Sequence, residues 1–502
     1  MTGILPTLRK EHLQFDHITP NPRYNALDEA IKAQRGSDFE LNILGVDELI
    51  TNHNNILFEA CNTSFQVHMQ TSPEEFTQKY NWSQMIAGPV LAVAVNSPLL
   101  LGKRLWKETR IALFQQSVDT RSSTNIKRDQ EPRVTFGRDW LKGTVVDHYK
   151  DNVSRFNMLF STDADEDSLQ KLANGEVPEL EALKMHNSTV YQWNRPCYGV
   201  GGGKPHLRIE NRYLPSGPTI KDEIANAALW LGVMYGMPDE YSELPSLVRF
   251  EDCRYNFYNA CRNGLDSQFR WFGKTISAEK LLRTVIIPLA EKGLRKAGIN
   301  EDSISDLLGN IKKRVKKNVS GASWVMDNFS RLRVGSTANE ASVNITKVMY
   351  RNQMTSKPIH LWKDIDLTKD KARTQFSTAK DIMETEIYIA KENDIIELAV
   401  NMMDWKKIRT IPVENDQNEL VGLLTANEIL RYHTTIDKPE LIGEIMSRDF
   451  LTISQGMNIS ELAELFGETR AECALVLEGK YLVGLVAEHD IVQAVNAMDI
   501  LK

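Results

Sequence analysis

Leu420-Val421-Gly422-Leu423-Leu424 is written a second time, about 60 residues further along the chain, as Leu482-Val483-Gly484-Leu485-Val486. A second feature recurs at nearly the same spacing, because Asp381-Ile382-Met383 returns as Glu444-Ile445-Met446. Two features that share one period mark a duplicated folding unit. The sequence therefore predicts that the C-terminal part of the chain folds as two copies of one small unit.

The elements predicted within the two copies follow the same order. Each copy begins with a helix and continues with a buried strand, a turn, a second strand that contains the glycine, and a closing helix. The predicted helices and first strands are Ile395–Met403 with Thr410–Val413, and Ser460–Phe466 with Ala474–Leu477. This alternation is typical of a small α/β unit.

The repeated unit resembles a tandem pair of cystathionine-β-synthase-type (CBS) domains over about residues 376–499. The resemblance implies a cleft that binds AMP, ADP or ATP, with a Thr or Ser hydroxyl on phosphate and an Asp carboxylate on ribose. The first copy offers Thr425 and Glu428, whereas the second offers Ala487 and Asp490. Thr425, Glu428 and Asp490 are therefore the candidate nucleotide-binding residues. The alternative is a pair that serves only packing or dimerisation. Because such pairs commonly self-associate, a homodimer is expected.

Composition places the chain among soluble globular proteins. It has 502 residues, of which 42% are apolar and 25% charged, and its net charge of −7 disfavours general nucleic-acid binding. The five cysteines show no metal-ligand spacing, which suits a reducing cytoplasm. The longest apolar run, Pro89–Val95, is too short to span a membrane. The basic cluster Lys312–Lys317 is interpreted as a solvated helix face.

The chain divides into a first domain at residues 1–335, a linker at 336–375 and the repeated module at 376–502, whose copies are 376–436 and 437–502. Alternating apolar residues predict a strand around Phe65–Met69. The other predictions for the first domain are a helix at Trp82–Val95 that is interrupted or kinked at Pro89, helices at Thr109–Ser117, Ile220–Met237 and Ile304–Lys317, and a long loop at 121–150.

The densest group of polar residues is HLRIENRYLPSGPT, residues 206–219. On a strand, Arg208, Glu210 and Arg212 project to one face, because side chains alternate with a period of two. A carboxylate there can hold a hard cation, and a guanidinium can grip a phosphate or carboxylate with two hydrogen bonds. A surface ion pair on a sheet explains the same pattern, so both interpretations stay open.

The longer stretch LRIENRYLPSGPTIKDEIANAALWLG (207–232) is similar to the glutamate–cysteine ligase family of the second type. The similarity extends to NTSFQVHMQ (62–70), NSPLLLGKRLWKETRIALFQQSVDTRS (96–122) and WNRPCYGVGGGKPH (193–206), and covers roughly residues 1–335. It implies an α+β fold with a glutamine-synthetase-like antiparallel sheet. It also implies ATP-dependent joining of glutamate to cysteine through an acyl phosphate, as in glutathione biosynthesis, with Mg²⁺ and ATP. Another acceptor amine is the alternative.

The same resemblance assigns roles to individual residues. It implies metal binding by Glu210 and His68, and catalytic contacts by Arg212 and Arg110. The residues implied in substrate or ATP binding are Gln66, Asn62, Asn96 and Arg208. Several anionic oxygens must meet in such a reaction, which explains why arginines and Mg²⁺ are the groups required.

The glycine-rich segment Gly199–Lys204 is not a phosphate-binding Walker loop, because Pro205 follows Lys204 where that motif has Ser or Thr. It is either a hairpin or lid, or a glycine-rich rim near the nucleotide.

The family usually opens with a strand that carries Glu-x-Glu, and no such strand precedes the equivalent of Thr2-Gly3-Ile4-Leu5-Pro6. We therefore expect a ligase domain that is incomplete at its N-terminus, which leaves its enzymatic activity open. The alternative is a catalytically inactive ligase-like protein that acts as an adenylate-binding regulator.

Overall fold

The computed structural model describes residues 1–36, 39–121, 131–159, 166–334, 336–368, 377–385, 387–406, 408–417, 419–433, 440–479 and 481–499. These residues fall into two compact units. The first unit is Met1–Val334 with Ala341–Asp370, and the second is Gly335–Glu340 with Lys371–Lys502. Helices and small sheets are mixed along the chain, so the predicted α+β class is confirmed.

Helices of very different length alternate with short strands along the N-terminal part of the chain. The helices are α1 Pro22–Arg35, α2 Leu57–Ala60, α3 Pro73–Ala94, α4 Thr109–Ser117, α5 Val145–Arg155, α6 Ser168–Ala173, α7 Glu181–Ser188, α8 Ile220–Tyr235, α9 Leu244–Leu247, α10 Phe250–Asn263, α11 Ala278–Leu281, α12 Ile287–Lys296, α13 Glu301–Lys317, α14 Gly321–Arg333 and α15 Ala338–Met354. The strands are β1 Phe39–Leu44, β2 Glu48–His53, β3 Val67–Thr71, β4 Leu99–Leu100, β5 Lys103–Arg104, β6 Val134–Thr135, β7 Tyr191–Gln192, β8 Asn194–Gly201, β9 Lys204–Asn211, β10 Gln268–Trp271 and β11 Lys274–Ser277.

Helix α3 forms the centre of the first unit. Pro73 occupies its first turn and the Ser72 hydroxyl accepts a hydrogen bond from the backbone N–H of Glu75, so the start of the helix is well capped. Its second half is buried on all sides. The helix continues through Pro89 to Ala94, so the predicted interruption is not observed, and the alternative of a kink at this proline stays a prediction. Packing against α10 holds it there, and a Cβ atom on Gly88 would lie 2.9 Å from the backbone of Asn256.

Helix α8 agrees with the prediction for Ile220–Met237, and its small residues have a packing role. A Cβ atom on Gly232 would lie 2.6 Å from the carbonyl oxygen of Ala290 in α12. A Cβ atom on Gly293 would lie 1.8 Å from the carbonyl oxygen of Gly232. The two helices therefore touch backbone to backbone, which only glycine permits at these two positions.

The sheet that carries the polar residues has the order β3-β9-β8 and is antiparallel. In its register His68 pairs with Glu210, and Glu210 pairs with Arg195. The strand predicted around Phe65–Met69 is thus observed as β3. Strands β8 and β9 are joined by Gly202 and Gly203, whose φ angles are +57° and +75°. Two residues at positive φ form the tight turn of a hairpin, which confirms the hairpin interpretation of the glycine-rich segment.

Three predictions for this unit need correction. The segment 121–150 contains β6 and the start of α5, although residues 122–130 lie outside the described part. The segment predicted as a linker contains the helix α15. Arg314, predicted to lie on a solvated face with its basic neighbours, is fully buried.

The second unit contains two copies of a three-stranded sheet. The first copy comprises α16 Ala379–Ile382, β12 Ala390–Lys391, α17 Ile396–Lys406, β13 Thr410–Glu414, β14 Leu420–Thr425 and α18 Ala426–His433. The second comprises α19 Ile442–Ile445, β15 Thr452–Ser454, α20 Ile459–Thr469, β16 Cys473–Glu478, β17 Tyr481–Ala487 and α21 Glu488–Asp499. In both sheets the first pair of strands is parallel and the second antiparallel.

The two repeated motifs of the sequence meet crosswise in this unit. A Cβ atom on Gly422 would lie 2.3 Å from Met446 Sδ, and one on Gly484 would lie 2.4 Å from Met383 Sδ. Each methionine therefore fills the space that the glycine of the other copy leaves free. This exchange explains why both motifs recur with one period.

None of the described helices combines the length and the apolar character that crossing a bilayer requires.

Candidate functional site

One face of the β3-β9-β8 sheet collects the polar residues that the sequence singles out. Glu210 and Arg208 lie on β9, His68 lies opposite Glu210 on β3, and Arg195 lies opposite Glu210 on β8. The alternate residues of the same strands, such as Val67, Met69 and Ile209, are buried in the main apolar core. The pleat of the strands thus separates an apolar face from a charged one.

Glu210 lies at the centre of this charged face, with its side chain only 2% exposed. Its Oε2 accepts a hydrogen bond from Arg195 Nε at 2.6 Å and lies 3.4 Å from Cys197 Sγ. Its Oε1 lies 3.7 Å from His68 Nε2 and 3.8 Å from Arg212 Nε. Both oxygens of the carboxylate are therefore surrounded by donors from three strand positions and from Arg212, just beyond β9.

The pKa values on this face reflect an excess of cations over anions. Burial would raise the pKa of Glu210, but Arg195 and Arg212 together bring it below its ordinary value of 4.5. Burial lowers the pKa of Arg212, and the like charge of Arg195 lowers it further. Burial and the nearby Glu210 raise the pKa of the Cys197 thiol to about 11, so this cysteine is no thiolate nucleophile at neutral pH.

Several donors on this face have no hydrogen-bond partner among the described residues. Arg212 Nη1 and Arg208 Nε are buried and unpartnered, as is the ring nitrogen His206 Nδ1, which donates or accepts according to its tautomer. Buried donors without partners cost free energy, and an incoming acceptor removes that cost. Guanidinium groups match the oxygens of phosphates and carboxylates, so this face is suited to binding an anionic group.

The same face does not fit a magnesium site built from the described residues alone. Mg²⁺ prefers several oxygen ligands, but the oxygens of Glu210 are turned towards cations. In the described part of the chain, no group of three or more His, Cys, Asp and Glu residues could hold a metal ion. Among the described residues, Glu210 and His68 therefore do not form a metal site on their own, and their metal-binding roles stay predictions.

Two residues near this face were missed by sequence reasoning. Arg195 makes the shortest contact to Glu210, and its position opposite Glu210 follows only from the hairpin register. Glu59, in α2, interacts electrostatically with Arg212, and burial raises the pKa of its carboxyl group. The Arg212 guanidinium also lies 5.7 Å from the ring centre of Tyr191. No local pattern identifies Glu59, because α2 approaches the sheet only through tertiary packing.

The hydrogen bonds of Arg110 are made to residues that do not belong to the charged sheet face. Its Nε donates to Glu108 Oε1 at 3.0 Å and its guanidinium also donates to the backbone carbonyl of Tyr213. Both Arg110 and Glu108 are buried. Ser97 Oγ donates to the same carboxylate oxygen of Glu108 at 2.7 Å. This buried pair fixes the start of α4, and the catalytic role that the resemblance gives Arg110 stays a prediction.

The remaining predicted residues of the first unit are dispersed. Gln66 is exposed just before β3, on the approach to the charged face. Asn62 donates through Nδ2 to the carbonyl groups of Phe58 and Glu59 at the end of α2. Asn96 is buried, and its Nδ2 donates to the carbonyl of Ser216 at 2.7 Å. The structure thus brings together Glu210, Arg212, Arg208 and His68, but not Asn62 and Asn96.

The predicted nucleotide-binding residues of the second unit lie where β14 and β17 lead into their helices. The Glu428 carboxylate accepts hydrogen bonds from the backbone and the hydroxyl of Thr425. Asp490 Oδ2 accepts a hydrogen bond from the backbone N–H of Ala487 at 2.9 Å, and its Oδ1 lies 3.0 Å from His489 Nε2. Both acidic residues cap their helices, and burial raises the pKa of Asp490.

Comparison with known proteins yields two family matches. The profile of glutamate-cysteine ligase family 2 matches residues 2–347, which is well over half of the chain. The CBS domain profile matches residues 379–434 and 442–497. Both resemblances drawn from the sequence are therefore confirmed.

Individual relatives share only part of the chain. The uncharacterized protein MJ1225 of Methanocaldococcus jannaschii is 25% identical over 138 residues, which are 26% of this chain and 49% of that protein. Inosine-5'-monophosphate dehydrogenase of Thermoplasma acidophilum is 26% identical over 146 residues, which are 29% of this chain and 27% of that enzyme. The chain thus covers about half or less of these two curated relatives. The CBS domain-containing protein YhcV of Bacillus subtilis is 28% identical over 124 residues, or 24% of this chain and 86% of that protein.

Among solved structures, the crystal structure of CBSX2 in complex with AMP has 22% sequence identity and a TM-score of 0.23, and the match covers 25% of this chain and 98% of that chain. The ligase profile covers the residues of the charged sheet face, and the CBS profile covers both copies of the repeated unit. The chain belongs to glutamate-cysteine ligase family 2 and carries a tandem pair of CBS domains.

Proposed function

We propose that the chain is an ATP-dependent carboxylate–amine ligase that joins glutamate to cysteine and is regulated by adenine nucleotides at its CBS pair. The observation that supports the ligase most directly is the pair of guanidinium groups next to Glu210 that have buried donors without partners among the described residues, in a chain of this family. Such a reaction brings a carboxylate and phosphate groups together. Their repulsion must be offset by cations that are already in place.

The proposed chemistry proceeds in two steps. A carboxylate oxygen of glutamate attacks the terminal phosphorus of ATP, so a new phosphorus–oxygen bond forms and ADP leaves. The neutral amine nitrogen of the acceptor then attacks the acyl carbon, the carbon–oxygen bond to phosphate breaks as the carbon–nitrogen bond forms, and the departing phosphate carries away the proton that the nitrogen loses. In this proposal Arg212 and Arg208 hold the anionic oxygens, and Glu210 holds the guanidinium groups of Arg195 and Arg212 in place.

Release of ADP by the purified chain tests this proposal. With Mg-ATP present, we expect sustained ADP release to require both glutamate and cysteine, because without the acceptor amine the reaction stops at the acyl phosphate after a single turnover. Omission of each amino acid in turn is the control. Replacing cysteine with 2-aminobutyrate, which has the same shape without the thiol, tests the acceptor. Equal rates would mean that the thiol is not recognised, and no release in any mixture would contradict the ligase proposal.

A second candidate function is an adenylate-binding regulator without catalytic activity. It is favoured by the charged sheet face, which holds no cluster of metal ligands among the described residues. In this alternative the first unit binds an anion without turning it over, and the CBS pair carries the regulation. The chain would still be expected to dimerise through the CBS pair. Its five cysteines, all free thiols, are compatible with the cytoplasmic location that we propose.

Substitution of Asp490 tests the CBS site in both candidates. We expect Asp490→Ala to weaken AMP binding about 10- to 100-fold at one site, because the ribose hydroxyl groups would lose the carboxylate that accepts their hydrogen bonds. Glu488→Ala is the matched control, since it removes the same charge from an exposed neighbour in α21. Isothermal titration calorimetry with AMP, ADP and ATP measures the change. Unaltered binding in Asp490→Ala would remove Asp490 from the nucleotide site.

A further inference from the structure

We propose that the nucleotide site of the second CBS copy, rather than that of the first, controls the ligase unit. This inference rests on the proposed nucleotide binding. It adds a structural route by which binding at the second site affects the chain segment that leads to the ligase unit. The route starts at the residues through which the chain passes from the ligase unit into the CBS unit. We define residues 377–385, which include α16, as the entry segment.

The entry segment opens the first copy in sequence but is bonded to the second copy. The backbone N–H of Ala379 donates to the carbonyl of Met457 at 2.8 Å, and that of Lys380 donates to Gln455 at 3.0 Å. Its apolar side chains, Ala379 and Ile382, lie in the core of the second copy. These contacts fix the end of the segment closest in sequence to the ligase unit.

The other end of the entry segment is attached to the strand that leads to the second nucleotide site. Glu384 and Leu485 of β17 exchange two backbone hydrogen bonds, of 2.8 and 2.9 Å. Met383 fills the space above Gly484, the preceding residue of that strand. Ala487, whose N–H is capped by Asp490, follows Leu485 by only two positions. A ligand that orders this junction therefore acts on a strand that holds the entry segment directly.

The first nucleotide site is attached to a different segment. Leu423 of β14, two positions before Thr425, exchanges backbone hydrogen bonds of 2.8 Å with Ser447. Met446 fills the space above Gly422. Met446 and Ser447 directly follow α19, the helix that opens the second copy. A nucleotide bound at Thr425 and Glu428 is therefore expected to order Met446 and Ser447, in the middle of the CBS unit, and not the entry segment.

Each site strand therefore holds the chain segment that opens the opposite copy. For the second site, that segment is the one that continues towards the ligase. Because the segment is held by backbone hydrogen bonds and by one buried methionine, nucleotide binding at the second site lowers the frequency with which it opens. Among the described residues, the first site makes no such direct connection, and it adjusts the CBS pair itself.

Amide hydrogen exchange of the whole chain with and without AMP tests the route. The two uncoupling variants are Gly484→Ala and Gly422→Ala, whose new methyl groups would lie 2.4 and 2.3 Å from the sulfur atoms of Met383 and Met446. They are matched in chemistry and in steric conflict, but they displace different segments. Should thermal melts show that either variant is unfolded, Met383→Ala and Met446→Ala provide the same comparison by removing the side chain.

In the wild type we expect AMP to slow exchange in the entry segment and at the start of α21. Gly422→Ala should retain this slowing, and Gly484→Ala should lose it in the entry segment while the start of α21 stays protected. Equal loss in both variants, or protection of the helix junctions without the entry segment, overturns the route alone. Absence of protection everywhere with AMP, ADP and ATP overturns the nucleotide proposal together with the route.

Discussion

Replacement of Glu210 by alanine is expected to reduce ADP release by about 100-fold or more, as loss of a group that organises charge in an active site commonly does. The carboxylate is buried and touches Arg195, Arg212 and His68. Without it, the two guanidinium groups repel each other and turn away from the positions in which they receive substrate. Turnover should therefore fall although the net positive charge of the face rises.

This opposition between charge and geometry gives the experiment a second readout. Affinity for ATP in Glu210→Ala is expected to be unchanged or tighter, because one anion has been removed, while the maximal rate collapses. Glu210→Gln keeps the shape and removes the charge, so it separates the hydrogen bond to Arg195 from the ion pair. Arg254→Ala, on the exposed side of α10, is a control for the loss of a charged side chain at a distance. A rate within twofold of wild type in Glu210→Ala would contradict the proposed ligase site.

The regulatory alternative predicts no ADP release from any mixture, and therefore no turnover for Glu210→Ala to reduce. Nucleotide binding by a non-catalytic sensor depends on the CBS pair, so it should survive Glu210→Ala and be weakened in Asp490→Ala. A regulated ligase gives the same binding results, so ADP release by the wild type, rather than calorimetry, separates the two candidate functions.

Sequence reasoning located the centre of the charged face but not its surroundings. The strand period indicates Glu210 and Arg212, because alternate residues lie on one side, whereas His68 is named only through the family resemblance. Arg195 escaped notice, since its place opposite Glu210 depends on a hairpin register set by two glycines at positive φ. Glu59 escaped because α2 reaches Arg212 through tertiary packing, which leaves no local trace in the sequence.

In the CBS pair the sequence predicted the elements themselves, because each copy repeats one order of apolar runs. It could not predict that Met383 packs on Gly484 and Met446 on Gly422. A repeated motif shows that two places are equivalent, but it does not show whether each copy completes itself or its neighbour. Tertiary packing alone decides between the two.

The basic run of α13 shows where a local pattern fails for a physical reason. Lys312, Lys313, Lys316 and Lys317 are exposed as predicted, but Arg314 lies in the core. Its guanidinium donates to Asn226 Oδ1 at 2.9 Å and to the backbone carbonyl of Val93, and it lies 3.9 Å from Asp222 Oδ1. The run of basic residues predicted an exposed helix face and did not indicate that Arg314 is buried.

Arg314→Met is therefore expected to destabilise the first unit by about 3–5 kcal/mol, although it replaces one long side chain with another. Asp222 is fully buried, and the substitution removes the cation that faces it. Hydrogen bonds from Thr219, Asn310 and the backbone of Ile359 would remain, at 2.7, 3.1 and 3.0 Å, but none of them carries a charge. Arg314 also connects three helices, α3, α8 and α13, so its loss loosens the packing behind the charged sheet face.

Urea unfolding followed by tryptophan fluorescence measures this effect within the right unit, because Trp405 alone of the nine tryptophans belongs to the CBS unit. Lys316→Ala, an exposed change two residues away on the same helix, should shift the free energy of unfolding by less than about 0.5 kcal/mol. Asp222→Asn added to Arg314→Met should recover part of the loss, since the buried charge is then removed with its partner. Equal stability of Arg314→Met and Lys316→Ala would show that the buried ion pair contributes little to holding the three helices together.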